Sequence, residues 1–244
     1  IHCAAYSYVI DGEINKTKYN NNNVKQTKKF INICKKNSVQ NFIFLSSSNV
    51  YRDGKSIFNE IDAKKPKNTY GKNKLEIENY LKKKKFNNLV ILRLFNVVGL
   101  LKVFYIFKFN KNNYQRLFFR LVEKKRLPQL RYYKIKKKVI YPKRDFIDIS
   151  DLVSLFLKII NKMKTQKINK IFNVGNGKAT SINFISKFFK KYNKKLKFLN
   201  PSLITDKELA STKADIKLVK KYFNWKPVKT VKSSVLSTIK YSKF

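Results

Sequence analysis

The sequence predicts an α/β fold built on a doubly wound parallel sheet. Three observations lead there. Short apolar runs of strand length alternate with longer segments of helical period. The runs are nearly continuous in apolar character, as strands covered on both faces must be. And 43% of the 244 residues are hydrophobic, enough to bury a sizeable core.

"IHCAA" (1–5) reads as the end of a buried strand, and "NNNNVKQTKKFINICKKNSV" (20–39) as a helix. Its expected apolar face is Val24, Phe30, Ile31, Ile33 and Cys34. "NFIFLSSS" (41–48) is an apolar run closed by small polar residues, the pattern of a buried parallel strand. The stretch 50–68 is a loop with turn chemistry at Asp53-Gly54. "TYGKNKLEIENYLKKKK" (69–85) predicts a helix with Leu75, Ile77, Tyr80 and Leu81 among its apolar positions. "LVILRLFNVVG" (89–99) is again a buried strand. Further on, "RDFIDISDLVSLFLKIINK" (144–162) predicts a strand and then a helix capped near Ser150 or Asp151. "KIFNVGNGKATSINFISKFFKKY" (170–192) gives a strand, a Gly-rich turn and a helix from about Thr180 or Ser181. A short helix with an aromatic end lies in "STKADIKLVKKYFNWKP" (211–227). No internal repeat is present. The expected domains are 1–100, a sheet domain, and 101–244, a second domain whose segments can return to the first sheet.

Composition removes several classes of function. Cys3 and Cys34 are too few and too scattered for a disulfide framework or a zinc site, so no metal is expected and a reducing, cytoplasmic compartment is. The most apolar long stretch, 89–109, contains Arg93, Asn96, Lys102 and Lys108, which a spanning helix would bury at a cost of a few kcal/mol each. No membrane span is expected. The net charge is +42, but only seven of the 56 basic residues are arginine, the residue suited to bidentate phosphate contacts. Lysine is spread over the whole chain together with Asn, Ile, Phe and Tyr, all encoded by A/T-rich codons. Codon bias accounts for the charge, and no specific nucleic-acid partner is expected.

In open parallel sheets ligands sit beyond the carboxyl ends of the strands. Polar residues at 2–7, 46–49 and 96 all fall there. Tyr70 and Lys74 stand four residues apart, on one face of a helix. An ammonium beside a phenol favours the phenolate and draws its pKa down from about 10. Such a tyrosine serves as a general base or acid. By spacing alone, a tyrosine and a lysine on an exposed face of a lysine-rich chain is the commoner outcome.

Eight segments in order change that balance. They are "IHCAA", "NNNNVKQT", "FIFLSSSNVY", "NTYGKNKLEIE", "LRLFNVVG", "KRDFIDISDLV", "FNVGNGKATSI" and "ADIKLVKKYFNWKP". Together they resemble the extended short-chain dehydrogenase/reductase family, the NAD-dependent nucleotide-sugar epimerases and dehydratases, over most of the chain. The helix segment resembles the family's "sPYGxSKxxxE" and the following strand its "lRyFNvxG". The resemblance implies a Rossmann-like sheet domain and a smaller C-terminal α/β substrate domain. It implies NAD as cofactor, a nucleotide sugar as substrate and a homodimer formed through helices of the sheet domain. Tyr70 would be the base, Lys74 would hold the nicotinamide ribose, and Ser47, three residues before Val50, would be the catalytic hydroxyl. Ala4, Ala5, Tyr6, Asn23, Ser46 and Phe95 match cofactor-side positions. Asn96 and Arg144 match residues that meet the nucleotide diphosphate, for which an arginine is chemically apt.

Family dehydratases carry an Asp-Glu pair where this chain has Ser48 and Asn49. That favours a UDP-hexose 4-epimerase, with a 4-keto reductase, an inactive truncated relative and, last, a basic nucleic-acid-binding protein as alternatives. The family's Gly-rich turn, which cradles the cofactor pyrophosphate, does not occur in the chain. The resemblance places roughly 60 residues or more ahead of Ile1. The expectation is that the chain as given binds NAD poorly and is inactive alone. The loop after Gly99 and the surroundings of Thr205, where the family has an arginine, also depart from the pattern.

Overall fold

The computed structural model describes residues 1–51, 55–99, 129–135, 138–192, 199–203 and 211–241. The Asp53-Gly54 turn, the loop after Gly99 and Thr205 lie outside these residues. The fold is α/β with parallel sheets and flanking helices. The chain divides into two compact units, each assembled from three stretches: Ile1–Phe95, Leu155–Val174 and Asp215–Trp225 in the first; Asn96–Ser154, Gly175–Ala214 and Lys226–Phe244 in the second.

In the first unit, β1 (Asn41–Ser47), β3 (Asn88–Leu94) and β8 (Asn169–Val174) form a parallel sheet in the order β1-β3-β8. Phe42 pairs with Leu89 and Phe44 with Ile91 in register. Successive side chains alternate faces, so Phe42, Phe44, Leu89 and Ile91 share one side. They pack with Val24, Ile31, Ile77, Leu81 and Phe86, residues that include the inner positions of α3 (Thr27–Lys36) and α4 (Thr69–Lys82). Phe172 of β8 meets the ring of Phe223 at 4.9 Å, which brings α7 (Lys217–Phe223) onto the sheet. α1 (Val9–Ile14), α2 (Lys16–Asn20) and a π-helical turn, Asn21–Gln26, lead into α3. The two-residue strand β2 (Ile57–Phe58) sits in the loop before α4.

Two expectations need correction here. The buried face of the first long helical segment is Val24, Thr27 and Ile31, a 3–4 spacing, while Phe30 and Ile33 are exposed. The π turn adds to the helix ahead of α3 and changes which residues face inward. "IHCAA" does follow a strand course, with His2 bridged in parallel to Phe44 and its N–H on Ile43 O at 2.8 Å. It is not buried, however: Ile1, Cys3 and Ala4 are exposed, because no described strand pairs on their far side.

In the second unit, β7 (Lys143–Asp148) pairs in parallel with β4 (Asn96–Val98) and β11 (Ser211–Ala214), and antiparallel with β9 (Ala179–Ser181). β5 (Gln129–Ile135) pairs antiparallel with β6 (Lys138–Ile140) and in parallel with β10 (Leu199–Leu203). Val98, Phe146, Ile185, Phe189 and Val235 form a core that takes in α6 (Ile182–Tyr192) and α8 (Val231–Tyr241). α5 (Ile149–Thr165) begins one residue earlier than its expected cap. Asp148 fills that role, accepting from Ser150 N at 2.8 Å and Ser150 Oγ at 2.6 Å. α6 likewise starts at Ile182, because 179–181 are in β9. Among the described residues no helix is long and apolar enough to cross a membrane, and no cluster could hold a metal ion.

Candidate active site

α4 begins at a cap that the sequence supplies. Asn68 is extended, and its Oδ1 accepts from Gly71 N at 2.7 Å, satisfying one of the helix's first N–H groups. From there Tyr70, Lys74 and Glu78 recur every four residues down one face. Tyr70 is half-buried, whereas Lys74 is 4% exposed and Glu78 fully buried. The Lys74 ammonium donates to Leu45 O at 2.6 Å. It lies 4.7 Å from the Phe44 ring centre and 5.7 Å from that of Tyr70. Burial pulls its pKa down to about 8, against the opposing pull of Cys3 and Glu78.

The end of β1 is fastened to this helix. Ser47 Oγ accepts from Asn49 N at 3.2 Å and Asn49 Nδ2 at 3.1 Å. Asn49 Oδ1 accepts from Asn68 Nδ2 at 3.0 Å, which returns the chain of bonds to the helix cap. Ser46 is turned the other way: it is 2% exposed and its Oγ donates to Glu78 Oε1 at 2.5 Å. Arg93, wholly buried on β3, grips the same carboxylate in two places, Nε to Oε1 at 3.0 Å and Nη2 to Oε2 at 2.6 Å. Its remaining nitrogen, Nη1, donates to Tyr51 OH at 3.1 Å and to Glu60 O at 2.9 Å. Tyr51 OH in turn donates to Asn173 Oδ1 on β8.

Asn23, in the π turn, grips the backbone of Tyr6 at both ends, accepting from Tyr6 N at 2.8 Å and donating to Tyr6 O at 2.9 Å. Ala4 is exposed, Ala5 half-buried and Tyr6 exposed. Tyr6 opens on a groove of about 860 Å³ lined also by Lys16, Lys18, Asn21 and Asn22. Tyr70 and Lys74 do not line that groove, and the Phe44 and Tyr70 rings lie beside the ammonium. Phe95 is buried, its N–H on Val174 O at 2.9 Å.

Asn96 and Arg144 belong to the second unit. Asn96 is exposed and donates from Nδ2 to Asp145 O at 2.9 Å. Arg144 is half-buried and bonds Lys143 O through Nη1. Next to it, Asp145 is fully buried and accepts from Asn176 N, Gly177 N and Ala214 N at 2.6, 2.9 and 3.0 Å. Burial pushes its carboxyl up to about 6, although the three N–H groups favour the charge.

The structure therefore brings Tyr70, Lys74, Ser46 and Ser47 to one helix and the strand end fastened to it. Sequence reasoning gave no role to Glu78, Arg93 or Asp145, and took Asn49 only as one of the polar residues at the strand end. A signal existed for two of them: Arg93 interrupts an apolar strand run, and a buried charge requires a partner. Glu78 continues the four-residue spacing of Tyr70 and Lys74.

Comparison with known proteins gives the family and the fold. Residues 1–175 match the model of the NAD dependent epimerase/dehydratase family, and the chain belongs to that family. NAD is the family's cofactor. An uncharacterized UDP-glucose epimerase of Bacillus subtilis, YtcB, is 26% identical over 230 residues, covering 91% of this chain and 67% of that protein. Among solved structures, the UDP-glucose-4-epimerase of Stenotrophomonas maltophila with bound NAD and formylated UDP-arabinopyranose superposes with a TM-score of 0.84 at 19% identity, over 98% of this chain and 74% of that one. The UDP-glucose 4-epimerase of Bifidobacterium longum in complex with NAD+ and UDP gives 0.83 at 21% identity, over 98% and 74%. At these identities the structural likeness speaks for the fold.

Proposed function

We propose that this protein is an NAD-dependent UDP-hexose 4-epimerase in which Tyr70 is the base. The observation that carries the reading is the Lys74 ammonium, buried on the Tyr70 face of α4 and fastened to the end of β1. The residues fit the cofactor. An ammonium has three N–H donors, and among the described residues Lys74 gives one, to Leu45 O. Two remain for a ribose diol. Ala4 and Ala5 are small, and Asn23 fixes the backbone beside them.

When bound, NAD supplies hydride chemistry at C4 of the sugar. Tyr70 takes the C4 hydroxyl proton as that carbon is oxidised and returns it when the opposite face is reduced. Lys74 lowers the cost of the phenolate by its charge. Ser47 Oγ, oriented by Asn49, holds the sugar oxygen while its proton moves. Asn49 and Ser48 offer no carboxylate for removing water, which supports epimerisation over dehydration. Asn96 and Arg144 are the proposed contacts to the nucleotide diphosphate. On the same reading Phe95 lies beside the nicotinamide, and the protein is a homodimer through helices that include α4. Light scattering on the purified protein checks that last point, and a monomeric mass counts against it.

The deciding test is interconversion of UDP-galactose and UDP-glucose by the protein as its gene encodes it, with NAD added, beside a Tyr70→Phe variant. Loss of an acid-base group of this kind lowers turnover by about 10²–10⁴-fold. Circular dichroism should stay unchanged. Turnover retained by Tyr70→Phe would refute the mechanism.

A further inference from the structure

We propose that Glu78 is a positioning residue for this site. Its carboxylate, one turn beyond Lys74 on the same face of α4, joins that helix to β1 through Ser46 and to β3 through Arg93, and so fixes where the Lys74 ammonium stands. The proposal rests on the reading of Tyr70 and Lys74 given above.

Both Glu78 oxygens are engaged: Oε1 takes Ser46 Oγ and Arg93 Nε, and Oε2 takes Arg93 Nη2. The carboxylate cannot turn without breaking one of these bonds. The guanidinium is held equally firmly, by Tyr51 OH and Glu60 O at its other edge. Leu45, whose carbonyl receives the Lys74 ammonium, immediately precedes Ser46. The strand segment that docks the lysine is thus the segment that Glu78 holds. Removing Glu78 would take away the side-chain link from α4 to Ser46 and Arg93 beside the lysine, leaving the Asn49–Asn68 bond at the helix start and the lysine's own bond to Leu45 O.

Electrostatics point the same way. The titratable groups that face Lys74 are His2 and Cys3 from the N-terminal segment and Tyr70 and Glu78 from α4. Burial and the neighbouring ammonium push His2 down to about 4, which leaves it neutral near pH 7. Burial raises the Cys3 thiol, which leaves it protonated. The Glu78 carboxylate is then the negative charge that supports the lysine against its own burial. A buried ion pair is in itself a weak source of net stability, and apolar replacements of equal volume are often neutral. A role in placing Lys74 explains the pair better than a role in holding the core.

The experiment follows the Lys74 Cε resonance in protein labelled with ¹³Cε-lysine, assigned by its loss in Lys74→Met. The Phe44 and Tyr70 rings should shift it away from the exposed lysines. In the native chain it should titrate near pH 8. In E78Q/R93M, which removes both charges at similar volume, the midpoint should fall by about one pH unit, a tenfold loss of proton affinity. A folded double variant with an unchanged midpoint overturns the proposal. Should that variant fail to fold, Glu78→Asp decides. Its shorter side chain keeps the charge but cannot reach both partners, so the Lys74 resonance should move; an unmoved resonance overturns the proposal. No sugar or NAD is needed for this titration, so its outcome is independent of whether Tyr70→Phe abolishes turnover.

Discussion

Gly71 sits between the two catalytic candidates of α4, against the backbone of Asn49 in the turn after β1. A Cβ on it would stand 2.2 Å from Asn49 O and 3.0 Å from the Cβ of Pro66. Backbone cannot give way by that much, so the helix start would have to move off the β1 end. Gly71→Ala should destabilise the protein by about 2–3 kcal/mol in urea unfolding. It should also weaken the Asn49–Asn68 bond that orients Ser47, and so lower turnover before it lowers secondary structure. A variant of native stability would show that the contact is relieved cheaply. At this scale the sequence was half legible. Tyr70, Lys74 and Ser47 could be singled out only through the family resemblance, because spacing alone favoured an exposed pair. The partners that aim them could not, since Asn49 meets Asn68 and Ser46 meets Glu78 across 19 and 32 positions of chain. Such bonds are set by how a helix lies on a strand, which no local pattern encodes.

Among the elements, β7 shows how one residue can organise three. Asp145 collects the N–H groups of the β8–β9 turn, through Asn176 and Gly177, and of Ala214 on β11. An added Cβ at Gly175 would meet its Oδ2 at 2.7 Å, so that turn is fitted to the carboxylate. Folded, the carboxyl titrates near 6 instead of 3.8, so the native state holds more protons between those values. The contribution of Asp145 to stability therefore falls as pH rises from about 4 to about 6, by about 3 kcal/mol, and is level above that. Asp145→Asn does not titrate there. The native chain's advantage over it should accordingly be larger at pH 4 than at pH 7, measured by denaturant unfolding at both; a constant difference would contradict the assignment. The longer strands and helices of these stretches were readable, because strands buried on both faces and helices of 3.6 period leave distinct patterns, whereas the short β9 and β11 were not. Which side of a helix turns inward was less so. The π turn displaced the inner face of the segment before β1, and Phe30 and Ile33 stand in solvent while the smaller Thr27 is buried.

For the whole molecule the charge of +42 is the most conspicuous property. It should give weak attachment to any polyanion, falling steeply with salt. Filter binding of two unrelated DNA duplexes at two salt concentrations should show equal affinities and the same decline. A tenfold preference for one duplex would revive a nucleic-acid role. The division into two units has a consequence for biosynthesis. The first unit takes its last stretch from Asp215–Trp225, nearly at the end of the chain. The second takes its last from Lys226–Phe244, so neither unit is whole until its own last stretch has left the ribosome. Apolar strands made earlier must wait for those stretches, shielded by chaperones or by speed.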